Sequence, residues 1–277
     1  MLRKILLPLL ALAVPTLLTA KITREVEKSF RVGDDAAIEV DISGGSIDVE
    51  IGSDDQFHVT LQQTFRTNSE SEADEILERY DVTLDQSGDR VRVIVRSDKK
   101  SGGWFSGWRN RGANFSVKLI APAHADLNLD TSGGSIRVDG DSRGEIIADT
   151  SGGSISVDGS AGHMNLDTSG GSIRVGYALS RLRADTSGGS ITIGYVGPDA
   201  DDINADTSGG SITIGLDPAG GYDLLADTSG GSVHINGLSF RAEKKTRTHA
   251  EGEINGGGAR VRADTSGGGI TIKAADR

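Results

Sequence analysis

The stretch LNLDTSGGSIRV, residues 127–138, decides the fold. Two short runs of alternating polarity flank a glycine pair. Within each run Leu127, Leu129 and Thr131, then Ile136 and Val138, take the apolar alternate positions, and Asn128 and Asp130, then Arg137 and Asp139, take the polar ones. Alternation with period two is the signature of a strand with one buried face, so the apolar parity must face a core.

The pattern recurs along the chain. DTSGGSI or a near copy begins at Asp130, Asp149, Asp167, Asp185, Asp206, Asp227 and Asp264, and a divergent DISGGSI begins at Asp41. Successive steps from Asp130 are 19, 18, 18, 21, 21 and 37 residues. A fixed period of this length is the mark of a repeat architecture. Later copies keep the parity, as in Leu182, Ala184, Thr186, Ile191 and Ile193. In the divergent copy Ile42 fills the threonine slot between Val40 and Ile47, which predicts that the threonine column points inward and the aspartate column outward.

Two architectures accommodate a Gly-Gly link. It can close a hairpin, or it can form the bend of a coil whose equivalent strands stack in parallel at about 4.8 Å. The coil length and the repetition of identical polar residues favour the coil. The expected fold is all-β: a parallel β-solenoid of about 18–21 residue repeats with a more irregular N-terminal β region containing one short helix. The expected division is a signal peptide at 1–20, an N-terminal β region and cap at 21–120, and the solenoid with a C-terminal cap at 121–277. Strands are expected at 36–42, 46–51, 57–65, 81–85, 91–96 and 114–120. A helix near 70–80, capped by Ser69 or Ser71 with Ala73, Ile76, Leu77 and Tyr80 on its apolar face, could cover the open end of the stack. Residues 241–262 break the period and read as a terminal hairpin or cap before a last repeat.

Composition narrows the class. The chain has 277 residues, 39 glycines, 4% aromatics and no cysteine, so its core must be thin and built without disulfides. Arg3 and Lys4, the apolar run 5–18 and Leu18-Thr19-Ala20 read as a secretory signal cleaved before Lys21, giving periplasmic or extracellular placement. The run is shorter than the roughly 20 residues a membrane span needs and carries Pro8 and Pro15. Net charge is −11, which disfavours nucleic acid and anionic lipid as general partners.

Catalytic constellations fare poorly. The Asp-Thr-Ser triplets form a column, whereas an aspartic dyad needs two converging carboxylates. His58, His124, His163, His234 and His249 are scattered, no G-x-S-x-G occurs, and no zinc or P-loop spacing is present. The calcium β-roll repeat is absent too. Each aspartate is expected instead to accept a hydrogen bond from the backbone two residues on, as in an Asx-turn. The outward column Arg137, Ser156, Arg174, Thr192, Thr213, His234 and Thr271 is too mixed for ice binding. No enzyme activity, cofactor or metal is expected.

One local feature invites a ligand. Trp104, Phe105 and Trp108 lie among Lys99, Lys100, Arg109 and Arg111, a basic-aromatic segment able to touch a membrane interface or a glycan. The same rings could instead pack under the solenoid's end.

The DTSGG(S/G)I repeats, with Asn255–Gly258 followed by TSGGGITI, resemble the bacterial β-strand-repeat family of adhesin-like domains of unknown function. The resemblance spans essentially the whole mature chain. It implies an exported or surface-exposed β-solenoid linked to adhesion or envelope stress, with no defined catalytic residues. The expected partners are an envelope protein, a glycan or a membrane surface, with self-association through the solenoid ends as a further route.

The leader reading makes a direct prediction. N-terminal sequencing of the native protein should begin at Lys21; recovery of Met1 on the mature protein would overturn it.

Overall fold

A computed structural model describes residues 21–97 and 112–275. Residues 1–20 lie outside that range, as do Lys99, Lys100, Trp104, Phe105, Trp108, Arg109 and Arg111. The fold is the expected all-β solenoid. Each repeat sends one strand into a 12-stranded sheet and, beyond its glycine pair, another into an 11-stranded sheet facing it. Met164–Thr168, for example, belongs to one and Ile173–Ala178 to the other. The strands flanking a glycine pair therefore lie in opposite sheets, which rules out the hairpin alternative. Repeats pair in parallel with no slip at the bend, so Asp149 meets Asp130 and Asp167, and Thr150 meets Thr131 and Thr168.

The inward parity is as predicted. Ile136, Ile155, Ile173, Ile191, Ile212 and Ile270 form one buried column, and Leu127, Ile146, Met164, Leu182, Ile203 and Val261 form another. The threonine column is buried as well, with Thr131, Thr150, Thr168, Thr186, Thr207 and Thr265 each 1% exposed.

These threonines bind the coils together. Thr150, Thr168, Thr186, Thr207 and Thr265 each donate their hydroxyl to a carbonyl of the preceding coil's second glycine at 2.8 Å. Each also accepts the N–H of its own second glycine at 3.3 Å. The turn is thus held by threonine, and the Asx-turn expectation is corrected. The N–H two residues beyond Asp167 and Asp185 is already committed to the neighbouring coil: Ser169 donates to the Thr150 carbonyl and Ser187 to that of Thr168.

Close stacking dictates the second glycine. A Cβ on Gly171 would sit 1.9 Å from the Gly153 carbonyl oxygen, whereas one on Gly170 would meet nothing nearer than 3.5 Å. A second glycine row, which sequence reading passed over, lies where the coil bends back. There a Cβ on Gly159 would lie 2.0 Å from the Gly140 oxygen, and one on Gly215 2.1 Å from that of Gly194.

The N-terminal region extends both sheets. Ala37–Ile42 and Ile47–Gly52 form a coil that pairs on one side with the coil of Asp126–Thr131 and Ile136–Asp139. On its other side lie Arg90–Ser97 and Ala113–Pro122. Val95 stands opposite Ile42 and Val117 opposite Ile47, so these two strands stack in register with the coil on either side of its glycine bend. Antiparallel strands Gln56–Phe65 and Tyr80–Ser87 follow outward, and Ile22–Arg31 completes the larger meander. Ile22–Arg31 escaped sequence reading because it is an edge strand exposed along most of its length, with no alternating apolar face.

The helix runs over Glu70–Leu77, with Ser69 accepting the N–H of Glu72. It stops short of Tyr80, which starts a strand and packs edge-on against Phe115 at 4.7 Å. It packs by Ala73 and Ile76 on Phe65. The end of the stack is closed by the two edge strands clasping each other: Lys28 donates to the Leu84 carbonyl at 2.9 Å and Gln86 to that of Arg31 at 2.6 Å.

The C-terminal order differs from the chain order. The last repeat, Ala259–Thr265 and Ile270–Ala274, sits between the coil of Ile203–Thr207 and Ile212–Leu216 and the coil of Tyr222–Thr228 and Val233–Asn236. The expected cap is therefore shorter than 241–262. It is the antiparallel pair Phe240–Lys245 and His249–Ile254, laid on Tyr222–Thr228.

The clasp sets the stability expected of variants. Read on weakly bonded hydroxyls, the sequence allows Thr207→Val to cost under about 1.5 kcal/mol. With both bonds present, the same change strands a buried carbonyl and an N–H and should cost about 2–4 kcal/mol. Gly171→Ala should lower the urea midpoint far more than Gly170→Ala. Equal midpoints for the two glycine variants would refute the stacking argument.

Candidate functional site

The bend face gathers the repeated polar side chains. Asp41, Asp130, Asp149, Asp167, Asp185, Asp206, Asp264 and Asp227 lie opposite one another in that order, one per coil. Strand alternation sends each outward because its neighbour in sequence, the clasp threonine, must point inward. Beyond the bend runs a serine rail. Ser154 donates its N–H to the Ser135 hydroxyl at 3.2 Å, and Ser172, Ser190 and Ser211 repeat this contact at 3.1 Å.

The acidic row is in electrostatic tension. Partial burial, and then the like charges one coil away, raise the carboxyls of Asp130, Asp167 and Asp206 above the usual range. A side chain bonds the carboxylate at each end. Arg96 holds Asp41 at 2.6 Å and is itself raised by that hydrogen bond. The half-buried His249 ring meets Asp227 at 2.9 Å. Within the row, Arg183 lies 3.6 Å from Asp185.

The chemistry available is that of an array. Carboxylates, serine hydroxyls and backbone groups recur at one coil spacing along a line. Among the described residues, no group of three or more His, Cys, Asp or Glu could hold a metal ion. No helix there is long and apolar enough to cross a membrane.

The basic-aromatic residues singled out from sequence fall outside the described range, but their attachment points are defined. Ser97 pairs with Tyr80, and Ala113 with Phe65, which also pairs with Ile22. Ile22, Phe65, Tyr80 and Ala113 pack together with the helix. The start of the described chain and both ends of the basic-aromatic segment thus share one corner.

Scattered histidines converge elsewhere. His124 and His163 line one groove of about 650 Å³ with Asp34, Arg90, Asp126 and Arg143. His124 bonds the Gly33 carbonyl at 3.0 Å. This groove lies where coils return from one sheet to the other, and linear spacing carries no trace of it. Another corner holds Tyr177, half exposed, with its ring 5.8 Å from that of Tyr195. Tyr195 donates to the buried Asp217.

Residues 36–273 match the family described as Toastrack DUF4097. The chain belongs to that Toastrack family. The match takes in every coil and both strands of the terminal hairpin, and it bears out the resemblance read from the repeats. No curated protein matches this Toastrack chain. Its fold is similar to that of an adhesin candidate from Bacteroides fragilis, at 14% identity and TM-score 0.42, covering 91% of this chain and 97% of the other. An adhesin candidate from Parabacteroides merdae gives 14% and 0.41 over 90% and 96%. A lipid-binding candidate from Parabacteroides distasonis gives 13% and 0.39 over the same shares.

The Toastrack acidic row predicts an inverted pH dependence. A carboxyl raised in the folded state favours folding when protonated, so its penalty is full above the folded value and vanishes below the unfolded value of about 3.9. Asp167→Asn should therefore raise the melting midpoint at pH 7 and leave it unchanged near pH 3. A lowered midpoint at pH 7 would show that the carboxylate stabilises the coil.

Proposed function

We propose that this Toastrack protein is an exported, non-catalytic component of the bacterial envelope, adhesin-like or scaffolding, that presents its repetitive face to a partner. The observation carrying this reading is the linear order of its chemistry: eight aspartates and a serine rail lie in register along one face. Catalysis needs groups that converge on one reacting atom. A row suits an extended or periodic partner, which meets the same donors and acceptors at every coil. Export rests on the leader at residues 1–20.

A second reading has its own support. The segment with Trp104, Phe105 and Trp108 is attached at the corner where the described chain begins, beside Ile22 and Phe65. A membrane interface or glycan met at that corner would be within reach of those rings and of the flanking Lys99, Lys100, Arg109 and Arg111. Aromatic bodies would enter the interface and the cations would stay in water.

One double variant separates the readings. Trp104→Ala with Trp108→Ala should abolish salt-sensitive binding to anionic vesicles and keep the melting midpoint if the segment is a contact. A lowered midpoint, matching the loss of several kcal/mol of stability for a buried Trp→Ala, with no vesicle binding by the wild type, would assign the rings to packing and leave the repetitive face as the working surface. Envelope pull-downs with the mature protein then test that face. Capture that survives changing Asp130, Asp149, Asp167, Asp185 and Asp206 to Asn would sink it.

A further inference from the structure

The interposed last repeat carries an inference about assembly. The coil 259–274 touches a different coil on each side, and both contacts use one register. Val261 lies between Ile203 and Leu224, Asp264 between Asp206 and Asp227, Thr265 between Thr207 and Thr228, and Ile270 between Ile212 and Val233. The clasps match too: Thr265 donates to the Gly210 carbonyl at 2.8 Å, and Thr228 to that of Gly268 at 2.6 Å. What Thr228 requires is the carbonyl of a second glycine, and Gly210 supplies the same group. The slot is thus specified by the repeat and not by the identity of the chain that fills it.

Chain connectivity makes filling the slot a separate event. Leu216 and Tyr222 flank the interposed coil, pairing with Ala274 and Ala259 respectively. The link 217–221 therefore climbs two strand spacings, roughly 10 Å. Such a short link brings the coil 222–236 beside the coil 203–216 long before 259–274 arrives, because closing a short loop costs less entropy than closing a long one.

The coil 259–274 is joined to what precedes it through a distinctive hinge. Asn255, Gly256, Gly257 and Gly258 are four successive residues with φ of 50°, 90°, 86° and 155°. Asn255 is the one non-glycine residue with positive φ among the described residues. Its side-chain amide donates to the carbonyls of Pro218 at 3.0 Å and Gly220 at 2.8 Å. It latches the hinge to the link that climbs past the slot.

We propose that the coil 259–274 is exchangeable: it fills the slot between coils 203–216 and 222–236 of its own chain or of a second copy, producing a coil-swapped dimer. In the swapped form every strand pairing and clasp is kept, and only the hinge 255–258 changes, which makes exchange a low-cost route to association. The partner is a second copy of this chain, and the contact is made inside the stack and not at its ends.

The absence of native cysteine makes the test clean. Asn204 and Arg262 are partners in register across the slot, at the spacing a disulfide accepts. Mature N204C and R262C proteins are unfolded, mixed, refolded together at high concentration and oxidised. The expected product is a disulfide-linked N204C–R262C dimer, with only background linkage for N128C mixed with R262C. Equal linkage for the two mixtures overturns the proposal. Refolded at high dilution, the double variant N204C/R262C should form an intrachain disulfide and run as a monomer; thiols left unlinked under oxidation overturn the interposed placement itself. Asn255→Ala removes the latch and should raise the dimer fraction roughly fivefold, whereas an unchanged fraction removes the hinge from the account.

Discussion

The clasp between a buried threonine hydroxyl and the carbonyl of the preceding coil's second glycine is the constraint on which the architecture depends. It ties coil to coil at 2.8 Å and closes its own bend through the same hydroxyl. Because that carbonyl lies directly beneath the next glycine, no side chain fits there. The register of both sheets follows. With the bend pinned, the strand before it and the strand after it can only stack like on like, which aligns isoleucine with isoleucine inside and aspartate with aspartate outside.

That alignment has an electrostatic consequence. A solenoid with in-register repeats must place identical charges one strand spacing apart; at Asp130, Asp167 and Asp206 partial burial first, and these like charges second, raise the carboxyls. Arg96 and His249 bond the carboxylates at the two ends. The row is thus a liability to the fold and the most regular chemical feature of the surface.

At the N-terminal end of both sheets, and at the C-terminal end of the 12-stranded sheet, the parallel stack gives way to antiparallel strands. Ile22–Arg31 and Tyr80–Ser87 clasp across the two sheets at one end, and the hairpin of Phe240–Lys245 and His249–Ile254 lies on the 12-stranded sheet at the other. Open strand edges invite uncontrolled pairing. The charged exposed faces of the outermost strands and the clasping contacts oppose it. Between these ends, the interposed repeat shows that stacking order answers to register and connection length more than to chain order.

Much of this was legible in the residues. Period-two alternation around DTSGGSI established the strands, the inward threonines and the outward aspartates, because side-chain direction in a strand is a strictly local property. Ile42 in the threonine slot was enough to orient the column. Sequence could not choose the hydroxyl's partners, so it assigned the turn to aspartate and undervalued Thr207. Nor could it order the last coils or bring His124 and His163 into one groove, because both depend on which strands meet, and Ala259–Thr265 carries the same repeat as its neighbours. Local pattern determined what each strand is and which way it faces; only the tertiary structure decided who stands beside whom, because identical repeats offer identical edges and the choice falls to the length and latching of the links.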